Sequence, residues 1–211
     1  MEHQLVCKKT FRYYTSGNPQ KAKYVLYVLH GYGQLAEFFI KKFEYLNDNY
    51  FIVAPEGMHR FYLKGSSGRV GASWMTKEAR ENDIHDNLNW LSHLQNEILK
   101  NNTFEKEIVL GFSQGGATAA RWNKINNIHN QIYWASVFPP DINIKNTISQ
   151  NNKTNNYFAL GNQDEYFNED EQKSIIQFYA KNGFKTYHFN GPHTIDTTTL
   201  NSILDDINLN Y

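Results

Sequence analysis

A serine flanked by glycines is the feature of this sequence that most clearly suggests chemistry. The segment Gly111-Phe112-Ser113-Gln114-Gly115 matches G-x-S-x-G, a pattern expected by chance about 0.04 times in a chain of this composition. It follows the apolar run Ile108-Val109-Leu110 and precedes a run of small residues. We therefore predict that Ser113 lies on a sharp turn between a strand and a helix, with its hydroxyl exposed as a nucleophile. Glycines are expected on both sides because a Cβ there would collide with the neighbouring strand or helix.

A serine hydroxyl needs a base to take its proton and an acid to orient that base. On a turn of this kind the acid and the base follow the serine in the chain, each on a loop after a later strand. Asp164 follows the predicted strand Tyr157 to Leu160, and His193 follows the predicted strand Phe184 to Phe189. We predict a catalytic triad of Ser113, Asp164 and His193.

Acyl transfer also requires two N–H donors aimed at the developing oxyanion. The first is the amide of Gln114, directly after the serine. The second is the amide of Tyr32, because the loop His30-Gly31-Tyr32-Gly33 follows an apolar strand and precedes a helical pattern. This loop contains neither G-x-G-x-x-G nor a Walker lysine, so its glycines do not indicate a nucleotide site.

Alternating strands and helices are expected to position these residues. Short β-branched and aromatic runs alternate with helical periodicity, which is typical of βαβ units and a mostly parallel sheet in an α/β fold. The predicted strands are Tyr24 to Leu29, Phe51 to Ala54, Glu107 to Phe112, Ile132 to Val137, Tyr157 to Leu160 and Phe184 to Phe189, with one or two more within Leu5 to Tyr14. The predicted helices are Leu35 to Leu46, Ile84 to Ile98, Gly116 to Lys124, Asn168 to Asn182 and Thr197 to Ile207, with Asp196 as an N-cap and Gly183 as a C′ residue.

Two segments lack clear periodicity. Pro55 to Lys77 carries four glycines with several aromatic and basic residues, and loops of this length are usually functional or disordered, so we expect it to form a substrate wall. The Asn-rich segment Asp141 to Asn156 is expected to be a solvated excursion between two strands. We find no repeat and no linker in the sequence, and therefore expect a single domain over residues 1–211.

Composition excludes several classes of partner. The chain has 21 basic and 21 acidic residues and no basic run, so it offers no surface for nucleic acid or anionic membranes. No apolar run approaches the ~20 residues that span a bilayer, and the N-terminus does not resemble a secretory signal. We expect a cytoplasmic protein with no transmembrane segment, no internal disulfide because Cys7 is its one cysteine, and no metal or cofactor. The oligomeric state stays open, a homodimer included.

The combined motifs resemble the α/β-hydrolases, and within them the phospholipase/carboxylesterase group that includes the acyl-protein thioesterases. The matching pieces are His30 to Gly33, Gly111 to Gly116, Gly161 to Asp164 and Gly191 to Ile195. The resemblance implies an α/β-hydrolase fold with helices on both faces of the sheet and a minimal lid or none. It implies the same three catalytic residues and the same two oxyanion amides. The family often has a proline after the catalytic aspartate, where this chain has Glu165.

Our hypothesis is a cofactor-independent serine hydrolase of the carboxylesterase, thioesterase or lysophospholipase type. It would act on a small-molecule acyl ester or thioester through an acyl-enzyme. Four aromatic residues are candidates to line an apolar acyl site: Trp74, Phe138, Tyr166 and Phe167. Two alternatives stay open, a peptidase or amidase on the same fold and a non-catalytic hydrolase-fold binding protein. The complete set of nucleophile, acid, base and oxyanion loop argues against the second.

Overall fold

The structure is a computed structural model that describes residues 1–126, 128–146 and 155–209. Its strands are β1 (Tyr13–Ser16), β2 (Tyr24–Leu29), β3 (Tyr50–Pro55), β4 (His59–Tyr62), β5 (Val70–Ser73), β6 (Lys106–Phe112), β7 (Asn130–Trp134), β8 (Asn155–Gly161) and β9 (Lys185–Phe189). Its α-helices are α1 (Ala36–Phe39), α2 (Arg80–Lys100), α3 (Gln114–Asn126), α4 (Glu169–Lys181) and α5 (Thr197–Leu209).

Seven strands form one sheet in the order β1-β3-β2-β6-β7-β8-β9. Every neighbouring pair is parallel except β1 with β3. The central strands read as nearly continuous apolar runs with little or no exposure, as expected for a parallel sheet that is covered on both faces. This confirms the predicted mostly parallel α/β architecture.

The strand order reverses between β2 and β6, and this reversal determines where a site can form. Successive strands run outward from β2 to β3 in one direction and from β6 to β9 in the other. Right-handed crossovers in opposite directions put their helices on opposite faces, so α1 covers one face and α3 and α4 the other. The loops after β2 and β6 therefore diverge and leave a crevice at the carboxyl edge.

The termini of α4 and α5 carry the capping residues that the sequence predicts. Asn168 caps α4 with a capping box in which Glu171 binds back to the Asn168 amide, and Gly183 follows that helix with φ +82°. Asp196 accepts a hydrogen bond from the Thr199 amide at 2.8 Å at the start of α5.

The predicted helix Leu35 to Leu46 is instead one turn of α-helix followed by two 3₁₀ turns. Phe43, which is buried in the core, has φ −118° and interrupts the helix between the two 3₁₀ turns.

Three predictions about the strands need correction. The region Leu5 to Tyr14 contributes only the start of β1, and residues 1–10 are exposed. The reason is that the four residues of β1 make the whole pairing with the edge of β3. Pro55 to Lys77 is not irregular throughout, since it contains the antiparallel hairpin of β4 and β5. Four-residue strands give too few alternations to stand out in the sequence. β7 ends three residues before the predicted Val137 because Ala135 turns the chain with φ +47°.

Both ends of the Asn-rich segment belong to the described residues, with 155–156 already in β8, and 147–154 lie outside them. Asp141 accepts hydrogen bonds from two nitrogens of the buried Arg121 of α3, Nε at 2.8 Å and Nη2 at 2.5 Å. This ion pair holds the segment that follows β7 against α3.

His30 links the end of β2 to the loop after β3. Its side chain is fully buried, and its Nε2 accepts a hydrogen bond from the Gly57 amide at 2.9 Å. Its Nδ1 lies 2.7 Å from the Gly31 carbonyl, which assigns the proton to Nδ1. Burial lowers the pKa of His30 to about 4, because the charged imidazolium would lose its hydration. We conclude that His30 is neutral and structural.

This buried histidine predicts a loss of stability in mild acid. The unfolded chain takes up a proton near pH 6.5 and the folded chain only near pH 4, so stability is fully present above pH 6.5 and declines as the pH falls toward 4. The loss attributable to His30 is about 2 kcal/mol between pH 7 and pH 5. Urea unfolding of the wild type and of His30→Gln at both pH values measures it. The variant should lose about 2 kcal/mol less than the wild type, and equal losses in both proteins would contradict the prediction.

Candidate active site

Ser113 occupies a strained turn between β6 and α3. Its φ is +53°, a left-handed conformation that is uncommon for a non-glycine residue and is often found at functional sites. The turn is held by a hydrogen bond from the Ser113 amide to the Trp134 carbonyl of β7 at 2.9 Å, and by one from the Gly116 amide to the Ser113 carbonyl at 3.0 Å. Ser113 thus lies at the carboxyl edge of the sheet, on the reversal of strand order.

Two glycines allow this turn to pack tightly, as the sequence predicts. A Cβ on Gly111 would meet the backbone of α3 at Gly115 and Gly116, and a Cβ on Gly115 would meet the carbonyls of Leu29 and His30. α3 therefore lies directly against the ends of β2 and β6. Its N-terminus points into the crevice, where the helix dipole favours negative charge.

Asp164 and His193 form a close pair across two loops. Asp164 Oδ2 lies 2.6 Å from His193 Nδ1, and the other carboxylate oxygen accepts a hydrogen bond from the Tyr166 amide at 3.0 Å. The Asp164 side chain is fully buried and that of His193 is 10% exposed. A carboxylate facing Nδ1 keeps the proton on that nitrogen and leaves Nε2 able to accept one.

Backbone contacts hold the two loops together. Gly161 and Gly191 approach so closely that a side chain on Gly161 would collide with the Gly191 carbonyl. The Gln163 amide donates to that carbonyl at 3.0 Å, and the Gly191 amide donates to Asn162 Oδ1 at 3.2 Å. Two hydrogen bonds from backbone amides therefore join the loops after β8 and β9 next to the Asp164–His193 pair.

Glu165 adds a contact that the sequence analysis missed. Its Oε2 accepts a hydrogen bond from the His193 amide at 3.1 Å. Hydrogen bonds from its own amide and from that of His193 hold the pKa of Glu165 below its usual range. The two residues are 28 positions apart, and no local pattern in the sequence reports a side chain bound to so distant a backbone group.

The His193 ring packs against two aromatic rings. It contacts Phe112, the residue before Ser113, at 4.7 Å between centroids, and Tyr166 at 4.5 Å. Tyr166 is 70% exposed. The predicted acid and base are therefore paired beside Phe112, the residue that precedes Ser113, and Tyr166 is the exposed residue next to the ring.

One predicted oxyanion amide belongs to a loop that lies beside Ser113, and the other belongs to the next residue, Gln114. Gly31 is so close that a Cβ there would be 3.2 Å from the Ser113 Cβ, which places the Tyr32 loop alongside the serine. Within the described residues, neither the Tyr32 nor the Gln114 amide donates a hydrogen bond. Both N–H groups therefore remain available to a bound carbonyl oxygen.

The four aromatic candidates for the acyl site separate into different environments. Trp74 is fully buried, stacks on His30 at 5.0 Å between centroids and donates its indole N–H to the His30 carbonyl at 2.8 Å. It supports the loop after β2 from inside the core, so its expected place in a substrate wall is corrected. Phe138 and Phe167 instead line an apolar groove of about 350 Å³, together with Val137, Glu171, Ser174, Ile175 and Phe178.

The described residues hold no cluster of three or more His, Cys, Asp or Glu side chains suited to a metal ion. In the same part of the chain, no helix is both long and apolar enough to cross a membrane.

Comparison with known proteins identifies the family of this chain. Residues 20–201 match the model of the serine hydrolase (FSH1) family. The carboxylesterase of Mesorhizobium loti has a similar structure, with a TM-score of 0.72, 14% identity and coverage of 94% of this chain and 95% of that one. Acyl-protein thioesterase 2 of Zea mays follows with a TM-score of 0.68, 17% identity and coverage of 94% and 98%. A phospholipase/carboxylesterase of Dyadobacter fermentans has a TM-score of 0.64, 20% identity and coverage of 96% and 98%.

At these identities the structural likenesses establish the α/β-hydrolase fold alone, and no curated protein sequence matches the chain. The family match carries the assignment, because it spans the serine turn, the Asp164 turn and the His193 loop. The chain belongs to the serine hydrolase (FSH1) family.

Proposed function

We propose that this serine hydrolase cleaves carboxylic esters or thioesters through a triad of Ser113, His193 and Asp164, and that residues 1–211 form one catalytic domain. The observation that carries the proposal is the 2.6 Å contact between the buried Asp164 and His193 Nδ1, next to a serine held at φ +53°. The names of the structural neighbours, which include a carboxylesterase and an acyl-protein thioesterase, support the choice of an ester or thioester.

In the proposed mechanism, His193 Nε2 takes the proton of Ser113 as its Oγ attacks the substrate carbonyl. Asp164 holds the imidazole in position and stabilises the imidazolium. The amides of Tyr32 and Gln114, with the N-terminus of α3, stabilise the oxyanion.

Collapse of the tetrahedral intermediate breaks the bond to the leaving alcohol or thiol, which takes the proton from His193. Water then attacks the acyl-enzyme with His193 again acting as base. The products are the free acid and regenerated Ser113.

We further propose that the apolar groove binds the acyl chain. Phe167 begins the groove directly after the Asp164 turn, where its amide donates to the Asp164 carbonyl at 3.3 Å. Val137 and Phe138 also line the groove, and they follow β7, whose last carbonyl accepts a hydrogen bond from the Ser113 amide. The Glu171 carboxylate is engaged by the Asn168 amide at 2.9 Å, so the remaining lining suits a neutral hydrocarbon chain.

The triad predicts that turnover depends on Ser113 and Asp164. Hydrolysis of p-nitrophenyl esters from acetyl to palmitoyl should disappear in Ser113→Ala, and kcat should fall on the order of 10⁴-fold in Asp164→Asn because the imidazole would adopt the wrong tautomer. Asp170→Asn is the matched control, since the Asp170 side chain is 96% exposed on α4. Full turnover by folded Ser113→Ala would reject the mechanism, and no turnover by the folded wild type on any ester would favour an amide-cleaving or non-catalytic protein.

The acyl groove predicts a chain-length effect. Phe178 of α4 is 40% exposed and lines the groove away from the reacting groups. Phe178→Ser should lower kcat/KM for the octanoyl ester about tenfold by removing apolar contact, while the acetyl ester is hydrolysed as by the wild type. Phe38→Ser, which changes an exposed phenylalanine outside the groove, should alter neither. An equal loss on both esters in Phe178→Ser would contradict the acyl assignment.

A further inference from the structure

The side chain of Gln114 makes contacts that its proposed role as a backbone donor does not require. Its Oε1 accepts hydrogen bonds from the Trp74 amide at 3.0 Å and from the Ser73 hydroxyl at 3.2 Å. Its Nε2 lies 2.9 Å from the Met75 carbonyl and 3.1 Å from Ser73 Oγ. Both ends of this amide are therefore bound to the three residues around the end of β5.

The same short segment also holds the loop after β2. The Gly33 amide donates to the Ala72 carbonyl at 2.8 Å, and the Ala72 amide donates to the Gln34 carbonyl at 3.1 Å. The Trp74 indole donates to the His30 carbonyl at 2.8 Å. A Cβ on Gly71 would collide with the backbone of Gly33, so β5 and this loop are in direct backbone contact.

The segment that makes these contacts is rigidly enclosed. Ala72, Ser73 and Trp74 are all buried. The Trp74 carbonyl accepts a hydrogen bond at 2.6 Å from Asn87 of α2, which is also buried. Residues 72–75 therefore bridge the loop carrying the Tyr32 amide and the turn carrying the Gln114 amide.

We infer that the Gln114 side chain is a positioning residue that, through residues 72–75, sets the separation of the two oxyanion amides. The inference rests on the proposed function. A planar amide suits this position because it offers an acceptor to the Trp74 N–H and a donor to the Met75 carbonyl. Glutamate would face that carbonyl with a negative charge, and methionine would bind neither group. Because a displacement of about 1 Å can cost 10²-fold in rate, loosening this contact should act on catalysis.

The test compares Gln114→Ala, Gln114→Glu and Gln114→Met with the wild type on p-nitrophenyl acetate. We expect kcat to fall about 10- to 100-fold in each variant with KM changed less than about twofold, since the lost stabilisation belongs to the transition state. An alkyl boronic acid, which forms a tetrahedral adduct with a catalytic serine, should bind more weakly by a similar factor. The pH profile of kcat/KM should not move, because the Asp164–His193 pair is untouched.

Two further variants separate positioning from general destabilisation. Gln95→Ala removes another buried glutamine, which lies on α2 and donates a side-chain hydrogen bond to Glu107 at 2.8 Å. This variant should lower the melting temperature without lowering kcat. Ser73→Ala should lower kcat in the same direction as Gln114→Ala, and the double variant should fall no further than Gln114→Ala alone, because both act through one contact. If Gln114→Ala fails to fold, Gln114→Met retains the length of the side chain.

Two results would overturn the inference: a kcat within twofold of the wild type in folded Gln114→Ala or Gln114→Met, or a reduced kcat with unchanged boronate affinity. Ser113→Ala distinguishes this failure from failure of the proposed function. If Ser113→Ala keeps its turnover, the serine mechanism itself is wrong. If Ser113→Ala is inactive and the folded Gln114 variants keep wild-type kcat, only the positioning role is rejected.

Discussion

The contact of α3 with the ends of β2 and β6 is the constraint on which the rest of the site depends. No space exists there for side chains at Gly111 and Gly115, so the helix begins immediately after the strand and the chain turns through Ser113 in a left-handed conformation. The same contact brings the loop after β2 beside the serine and aims the helix N-terminus at the crevice. A looser turn would move Ser113 away from the loop that carries the Tyr32 amide, because these close backbone contacts hold the turn in place.

The predicted base and its acid lie across β6 from the loop that follows β2. Their loops follow β8 and β9, and parallel pairing places the ends of those strands at the same edge as the end of β6. Reciprocal bonds between the loops, including the Gln163 amide to the Gly191 carbonyl and the His193 amide to Glu165, fix the imidazole from its backbone. The Asp164 carboxylate is held in place, since each of its two oxygens already has a hydrogen-bond partner.

Two histidines at this edge show how environment divides their roles. His30 is buried among backbone groups and the Trp74 ring, and burial lowers its pKa to about 4, so it is a neutral link between loops. His193 is also largely enclosed, but its Nδ1 faces a carboxylate that can stabilise a positive ring. The residue type alone cannot distinguish these two situations, because the difference lies in the partners that tertiary packing supplies.

The sequence by itself determined the α/β architecture and the turn at Ser113, and it predicted Asp164 and His193, which the structure pairs with each other, as partners of that serine. These follow from local information: apolar runs of strand length, glycines at fixed offsets and polar residues just after strands. The sequence did not determine the β4–β5 hairpin, the buried position of Trp74 or the contacts of Glu165 and of the Gln114 side chain. Each of these depends on groups far apart in the chain, and only packing of the loops against one another decides which side chain faces the site and which supports it from the core.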